Sequence, residues 1–466
     1  MGTLTGLMSL TNAALEADQS AINVTANNVA NQNTAGYTRE TVSFEASDAV
    51  SLSGYQGLDE SVSATTVSQR SRVLEQQLQQ QTQSSTSSTA VLTALQNIQS
   101  MFGLTSSSTD ASSTTLGTAM NTFFSSLTAL SSNPTDAATQ TAVLTAASTL
   151  ASAFNSTSQG LSSEVTSLNS QIATAAQQVN GLTATVAQLN QQITTLSPNQ
   201  DAGTLEDARQ QAILQLSSIL GVDQITTQNN GVTLTASDGT VLVSGNQNYA
   251  LSTTTVNGNT AIVAGDPPTT LPNDIQGGSI GGMLQARDQA IPPMQSAIDQ
   301  LAYAIGTAVN TQNEAGTTAS GTAGTAIFTL PTTATGAAAT ISVVAGSEIA
   351  TAGVGEGTSG TTNALALANL ATTNILSGQT STNNFAGFIG SLGSAVSSAT
   401  TQNTANTASL AQAQTQRDSL SAVSLDDEAT SLTNYQRSYE AAAKVFDIVD
   451  QMMADALNLG QQTPVS

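Results

Sequence analysis

The chain has 466 residues, enough for about three domains at ~150 residues each, yet it is only 3% aromatic and has no Trp. Eight basic residues (Arg39, Arg70, Arg72, Arg209, Arg287, Arg417, Arg437 and Lys444) stand against 31 acids for a net charge of -23, which leaves no basic patch for nucleic acid or an anionic membrane surface. With neither His nor Cys, the Ser-His-Asp arrangement, the thiol nucleophile and the usual zinc ligands are all missing, so no enzyme, cofactor or metal site is expected.

In chain order, a first helix is predicted from about residue 3 to 31. Met8, Leu15, Ile22 and Val29 stand seven apart on it, flanked by Leu7, and the Asn-rich run to Ala35-Gly36 ends it. Thr38 to Gly57 reads as extended, with Val42, Phe44 and Val50 as anchors. A second helix is predicted from near Val67 to Phe102, a Ser/Thr-rich loop over 103–115, and a third helix over Leu116 to Leu130. Asn133-Pro134 is expected to open a fourth, with Pro near its first turn. From Leu161 to Leu196 apolar residues alternate 4-3-4-3 for five heptads, a span of roughly 50 Å at 1.5 Å per residue, until Ser197-Pro198-Asn199. A shorter helix follows over Leu205 to Ile219, stopped by Gly221.

The period then changes. Val232 and Leu234, then Val241 and Val243, alternate with polar residues around Asp238-Gly239, which reads as a two-residue hairpin turn. This makes 222–278 a small β insertion, after which helix returns over Ser279 to Gln312, started or kinked at Pro292-Pro293. Residues 315–362, nearly all Gly, Ala, Thr and Ser, read as a loop with one weak hairpin or as a reduced second β excursion. Helix resumes over Leu365 to Ile375 and Phe385 to Ser421. The C-terminal segment carries a second heptad repeat, Leu425, Leu432, Tyr439, Phe446 and Met453, joined by Tyr435 and Val449. The expected class is therefore mainly α with a β insertion: an elongated α+β molecule of long antiparallel helices with heptad seams. Residues 1–45 and 422–466 would pair as a terminal coiled coil, 46–221 and 279–421 would form a helix bundle, and 222–278 the inserted β domain.

Three motifs invite a chemical reading. Asp426-Asp427-Glu428 is the densest acidic cluster, and it is explained by Ser424 capping a helix with acids in its first turn, where they meet the helix dipole. Gly277-Gly278-Ser279-Ile280-Gly281-Gly282 lacks the Lys-Ser/Thr of a phosphate loop and reads as a hinge. Asn23-Val24-Thr25 matches a glycosylation sequon inside a helix seam, by chance. No basic flank and apolar core of a cleavable signal peptide opens the chain, and no run of about 18 apolar residues could span a bilayer, so export by the general secretory route is not expected.

Asn27-Asn28-Val29-Ala30-Asn31 through Thr34-Ala35-Gly36-Tyr37-Thr38-Arg39 resembles the N-terminal signature of bacterial flagellar axial proteins, the rod, hook and hook-associated superfamily. Val423 to Glu428 followed by Tyr435-Gln436-Arg437-Ser438-Tyr439 resembles the matching C-terminal signature. The interior, from Leu205-Glu206-Asp207-Ala208-Arg209 through Gly277 to Asp288 and Asn310 to Asn313, is similar to the hook-associated protein 1 pattern. The resemblance implies a structural subunit at the hook-filament junction, needed for filament assembly and motility. It would be exported by the flagellar type III apparatus, transiently cytoplasmic and then extracellular in the flagellum. Implied partners are the hook protein, a second junction protein (hook-associated protein 3), further copies in a ring, and an export chaperone on the C-terminal helix. The assembly interface would comprise Leu7, Met8, Leu15, Ile22, Val29, Asn31, Gly36 and Tyr37 at the N-terminus. At the C-terminus, Leu425, Leu432, Tyr435, Tyr439, Phe446, Val449 and Met453 would serve assembly and the chaperone. The rival readings are another axial subunit, hook, rod or flagellin-like, and a secreted Ser/Thr-rich adhesin; the β repeats and signal peptide an adhesin would show do not occur.

Overall fold

The computed structural model describes residues 2–34, 36–46, 62–104, 111–196, 202–227, 230–264, 269–271 and 275–459. Helix α1 (Gly2–Asn31) leads into a hairpin of β1 (Glu40–Ala46) and β2 (Val62–Ser68), paired antiparallel from Glu40↔Ser68 to Ala46↔Val62. Val67 therefore lies in a strand and not at a helix start. Helix α2 (Arg72–Met101) begins five residues later, where the Ser71 hydroxyl accepts from the Leu74 N–H. The β-branched alternation of Val62 to Val67 suits a pleated pair, and the straight-chain Gln run after Ser71 suits a helix. Val50 and the rest of 47–61 lie outside the described residues.

Helix α3 (Thr115–Ser132) precedes α4 (Ala137–Leu196), a single helix of 60 residues and so roughly 90 Å long. Pro134 sits ahead of its first turn, and the cap is Asp136, whose carboxylate accepts from Thr139 N at 3.1 Å, Thr139 Oγ1 at 2.7 Å and Ala138 N at 3.4 Å. Those donors, the Thr139 hydroxyl foremost, hold the Asp136 carboxyl below its usual range. The heptad positions Leu161, Leu168, Ile172, Val179, Val186 and Ile193 are all buried. Ser197-Pro198-Asn199 lies outside the described residues. Helix α5 (Thr204–Ile219) turns back along α4.

The β insertion contains two antiparallel sheets. One has β3 (Val222–Thr226), β4 (Val232–Ala236), β5 (Val241–Ser244) and β6 (Gln247–Asn248) in that order; the other has β7 (Leu251–Val256), β8 (Asn259–Ala264) and β9 (Thr269–Thr270). The β4–β5 turn is longer than the expected two residues. Ala236 N donates to Thr240 O at 2.7 Å and Gly239 N to Ala236 O at 2.8 Å, with Gly239 at φ 87°, which makes a three-residue loop closed by a left-handed glycine.

Asparagines on α4 fasten these sheets. Asn180 Nδ2 donates to Leu251 O and its Oδ1 accepts from Leu251 N, both at 2.7 Å. Asn190 does the same for Val232 at 2.8 and 3.2 Å, and Asn169 Oδ1 accepts from Thr260 N at 3.0 Å. Each carboxamide stands in for a neighbouring strand and satisfies an edge that would otherwise be orphaned.

Helix α6 (Gly278–Gln285) continues through a π-helical turn (Ala286–Ala290) into α7 (Ile291–Glu314), so Pro292 and Pro293 enter at the start of a new helix, as their missing N–H requires. The glycines before it are contact residues: a Cβ on Gly282 would stand 2.2 Å from Ser87 O on α2, and one on Gly278 would stand 2.4 Å from Leu220 N.

Residues 315–362 are a packed excursion. Strands β10 (Gly316–Thr317) and β13 (Ala352–Gly353) pair around an inner pair, β11 (Phe328–Thr329) with β12 (Ser342–Val343), and α8 (Ala337–Thr340) lies between β11 and β12 in the chain. Ile327, Phe328, Ala338, Ile341 and Ile349 are buried, and Asn310 and Asn313 of α7 hydrogen-bond the surrounding backbone. Small side chains bring the backbone close to α4 and α7, and the asparagines supply the specificity that composition alone conceals. Helix α9 (Thr362–Asn369) ends six residues short of Ile375, and α10 (Ser381–Ser421) precedes α11 (Leu425–Leu459).

The scarce Phe residues are concentrated. Phe102, Phe385 and Phe388 form one cluster, with rings 5.4–6.5 Å apart, and Phe123, Phe124 and Phe328 form another at 5.5 and 5.9 Å. They supply bulk where α2, α3 and α10 converge, while the seams elsewhere are built from Leu, Ile, Val and Ala.

Candidate functional site

The two terminal helices pack against each other and meet the body of the molecule at a polar hub. Asn28, on the last turns of α1, is its centre. Its Oδ1 accepts from Tyr37 OH at 2.9 Å and Glu40 N at 3.0 Å, and its Nδ2 donates to Glu40 O at 2.7 Å and to Glu428 Oε2 at 3.1 Å. All four hydrogen-bonding positions of one buried carboxamide are thus engaged, by three residues from two segments of the chain. The chain reaches Tyr37 through Gly36, whose φ of 82° is open to glycine and costly for most side chains.

From Tyr37 onward successive residues attach to different parts of the chain. Thr38 N and Oγ1 donate to Asp207 of α5 at 2.9 and 2.7 Å. Arg39 N donates to Ser421 O at the end of α10, and Arg39 Nε pairs with Glu428 Oε1 at 2.7 Å. Arg70, at the entrance to α2, pairs with Asp207 at 2.6 Å and with Glu206. Burial foremost, then the charges of Glu40, Asp207 and Glu428, pushes the Tyr37 phenol well above its ordinary value, so it stays a neutral donor.

This hub also gathers much of the cationic inventory. Arg39, Arg70, Arg72, Arg209 and Arg417, five of the eight basic residues, stand in or beside it. Arg209 donates to Asn190 Oδ1 at 2.9 Å and Asn230 O at 2.5 Å, and burial foremost, with Arg70 and Arg72 nearby, lowers its guanidinium to about 10. Arg417 of α10 reaches Glu75 of α2 at 3.2 Å. In so sparsely charged a chain, such concentration marks the joint where order matters most.

The residues singled out from sequence fall into two groups. Tyr37 is buried in the hub, Gly36 shapes its approach, and Asn31 Nδ2 bonds Asn27 O at 3.0 Å in the last turn of α1. Met8, Leu15 and Ile22 are half-buried, while Leu7 (40%) and Val29 (36%) are exposed. Besides Asn28, the buried positions of α1 are Thr11, Asp18 and Thr25, each three residues after a member of that apolar repeat, with Ala17, Ala21 and Val24. On α11, Val449 is buried; Leu432, Tyr435, Phe446 and Met453 are half-buried, Tyr435 beside Phe44 at 6.1 Å; Leu425 and Tyr439 are exposed.

Sequence reasoning placed Glu428 in the capping cluster and the C-terminal signature but missed its part in the hub. Ser424 does cap α11, accepting from Asp427 N at 3.4 Å, and Asp426 and Asp427 remain in the exposed first turn. Glu428, one turn in, points to the hub instead. The signal available was its heptad phase: it stands four residues before Leu432 and seven before Tyr435, on the face that packs on α1.

A cleft of about 1060 Å³ between α2, α6 and α10 is lined by residues such as Gln80, Gln83, Ser87, Gln285 and Gln402, with no ionisable side chain among its lining. Among the described residues no helix is long and apolar enough to cross a membrane.

Three family matches follow the chain in order. Residues 12–38 match the flagella basal body rod protein family, 104–328 the flagellar hook-associated protein FlgK helical domain, and 414–459 the flagellar basal body rod FlgEFG protein C-terminal family. Flagellar hook-associated protein 1 of Bacillus subtilis (strain 168) is 28% identical over 96% of both chains, and that of Escherichia coli (strain K12) is 27% identical over 67% of this chain. The chain is similar to flagellar hook-associated protein 1 along nearly its whole length. It spans 58% of the length of the Escherichia coli relative. A solved structure, the flagellar hook junction protein FlgK from Burkholderia pseudomallei, shares the fold with a TM-score of 0.64, at 19% identity, over 75% of this chain and 100% of that one. Hook-associated protein 1 is a structural component of the flagellum and its family is not one of enzymes. The two terminal matches contribute part of the hub: 12–38 includes Asn28, Tyr37 and Thr38, and 414–459 includes Arg417, Ser421 and Glu428.

Proposed function

We propose that this chain is the adaptor between hook and filament, a structural subunit without catalytic role, whose two ends form the part that enters the axial tube. The observation that carries this reading is the hub: residues 400 apart in sequence, Asn28 and Glu428, are joined there beside an interior of the hook-associated helical type. In this reading α1 and α11 pair as a two-helix coil. Their unburied apolar residues, Leu7 and Val29 on one helix and Val445, Ile448 and Met452 on the other, are covered by other copies in a ring, by hook protein on one side and by hook-associated protein 3 on the other.

The chain would reach this place through the flagellar type III apparatus. A chain without Cys cannot crosslink in a narrow channel, and terminal helices with shallow seams stay unfolded at low cost. An export chaperone would hold α11 over Tyr435, Tyr439 and Phe446 in the cytoplasm. The two-signature architecture favours an axial subunit over a secreted adhesin. Deleting the gene tests the role: cells should build hooks, lack filaments and shed unpolymerised flagellin, with recovery on complementation. Normal filaments in the deletion strain would refute it, and loss of the hook itself would favour a hook or rod subunit.

A further inference from the structure

The seam between α1 and α11 has little in it to hold the helices at one register. Asn28 near the end of α1 meets Glu428 near the start of α11, and the helices pack along their lengths, so they run antiparallel. The buried face of α1 repeats itself every heptad in small side chains, Thr11, Asp18 and Thr25 in one row and Ala17 and Val24 in another. Such a surface looks much the same after a shift of seven residues.

The exception is Glu428, 2% exposed, whose two carboxylate oxygens are engaged from different segments: Oε1 by Arg39 Nε at 2.7 Å, Oε2 by Asn28 Nδ2 at 3.1 Å. Counting along antiparallel helices from that contact, Ala14 stands opposite Ala442. A shift of one heptad one way would put Glu428 opposite Ala21, and the other way would put Asn28 opposite Tyr435. In both cases a buried carboxylate loses its partners, and a single buried polar contact is known to select register at some cost in stability.

We propose that Glu428, held by Arg39 and contacted by Asn28, is the positioning residue that sets the register of the terminal helix pair. The backbone tethers at Thr38 and Arg39 fix where the chain leaves the hub, and Glu428 fixes which turns of the two helices face each other. Such a lock belongs to the isolated chain and is indifferent to where the molecule is assembled.

Because the chain has no Cys, engineered pairs report the register without background. In the full-length protein, Ala14→Cys with Ala442→Cys reads the observed register, and Ala14→Cys with Tyr435→Cys or with Val449→Cys reads the two shifted ones. Under mild oxidation the unaltered background should crosslink the first pair and not the others. Adding Glu428→Leu should lower the ratio of observed to shifted crosslinks at least tenfold, while Glu428→Gln, which can still accept from Asn28, should keep it within about twofold. Crosslinking of the first pair alone in Glu428→Leu would overturn the proposal, leaving the tethers in charge. Loss of all three crosslinks, with the helical circular dichroism of the body retained, would also overturn it, since Glu428 would then stabilise the pair without setting its register. Glu428→Gln slipping as far as Glu428→Leu would do the same.

Discussion

At the scale of single residues the hub turns a recognisable motif into mechanics. Tyr37 is held by a phenol hydrogen bond to Asn28, so Tyr37→Phe should cost about 1 kcal/mol in denaturant unfolding. Its folded pKa is raised, so the neutral form contributes stability that is fully present below the unfolded value of about 10 and is lost as pH rises beyond it. Stability should therefore fall more steeply above pH ~10 in the parent than in Tyr37→Phe, and equal slopes would remove Tyr37 from the alkaline transition. Asp207→Ala removes the acceptor for Thr38 N and Oγ1 and a partner of Arg70, and should cost about 3 kcal/mol. Asn28, Tyr37, Thr38 and Glu428 were legible as members of the two signatures. The part Glu428 plays in the hub was not, because an acid in the first turn of a helix already has a sufficient local explanation in the helix dipole.

At the scale of elements, periodicity located the long helices because their buried faces are apolar: the five heptads from Leu161 to Leu196 sit inside α4. It failed where polar side chains do the fastening. The Gly/Ala/Thr composition of 315–362 leaves a loop and a reduced β excursion both open, since the anchors that pack it are the carboxamides of Asn310 and Asn313 on a neighbouring helix. The same device holds the β insertion to α4. Asn180→Leu, which removes both bonds to Leu251, should cost about 2 kcal/mol, with hydrogen exchange rising first in β7 and β8. Exchange rising uniformly across the molecule would show that the insertion does not detach as a unit. The start of α2 was misplaced for a different reason: Val67 continues a β-branched run whose partner, β1, lies before a segment that sequence could not pair.

At the scale of the whole molecule, the two ends are joined to each other and to the body at one joint of ion pairs, which holds most of the cations of a chain whose net charge is -23. Class and chain order were readable because helices and strands alternate in long blocks; the joint was not, because it links residues hundreds of positions apart. Phe446 is half-buried on α11, so Phe446→Asp should disrupt the terminal pair and block incorporation into the flagellum while leaving the helical body folded. Normal motility and filament attachment in that mutant would count against the seam. The central claim is that the ends are an assembly device, only shallowly packed in the single chain and completed by neighbours. Hydrogen exchange of the full-length chain in dilute solution tests this most directly. The account predicts that amides of α1 and α11 exchange at least tenfold faster than those of α4. Terminal helices as well protected as α4 in the isolated chain would contradict it.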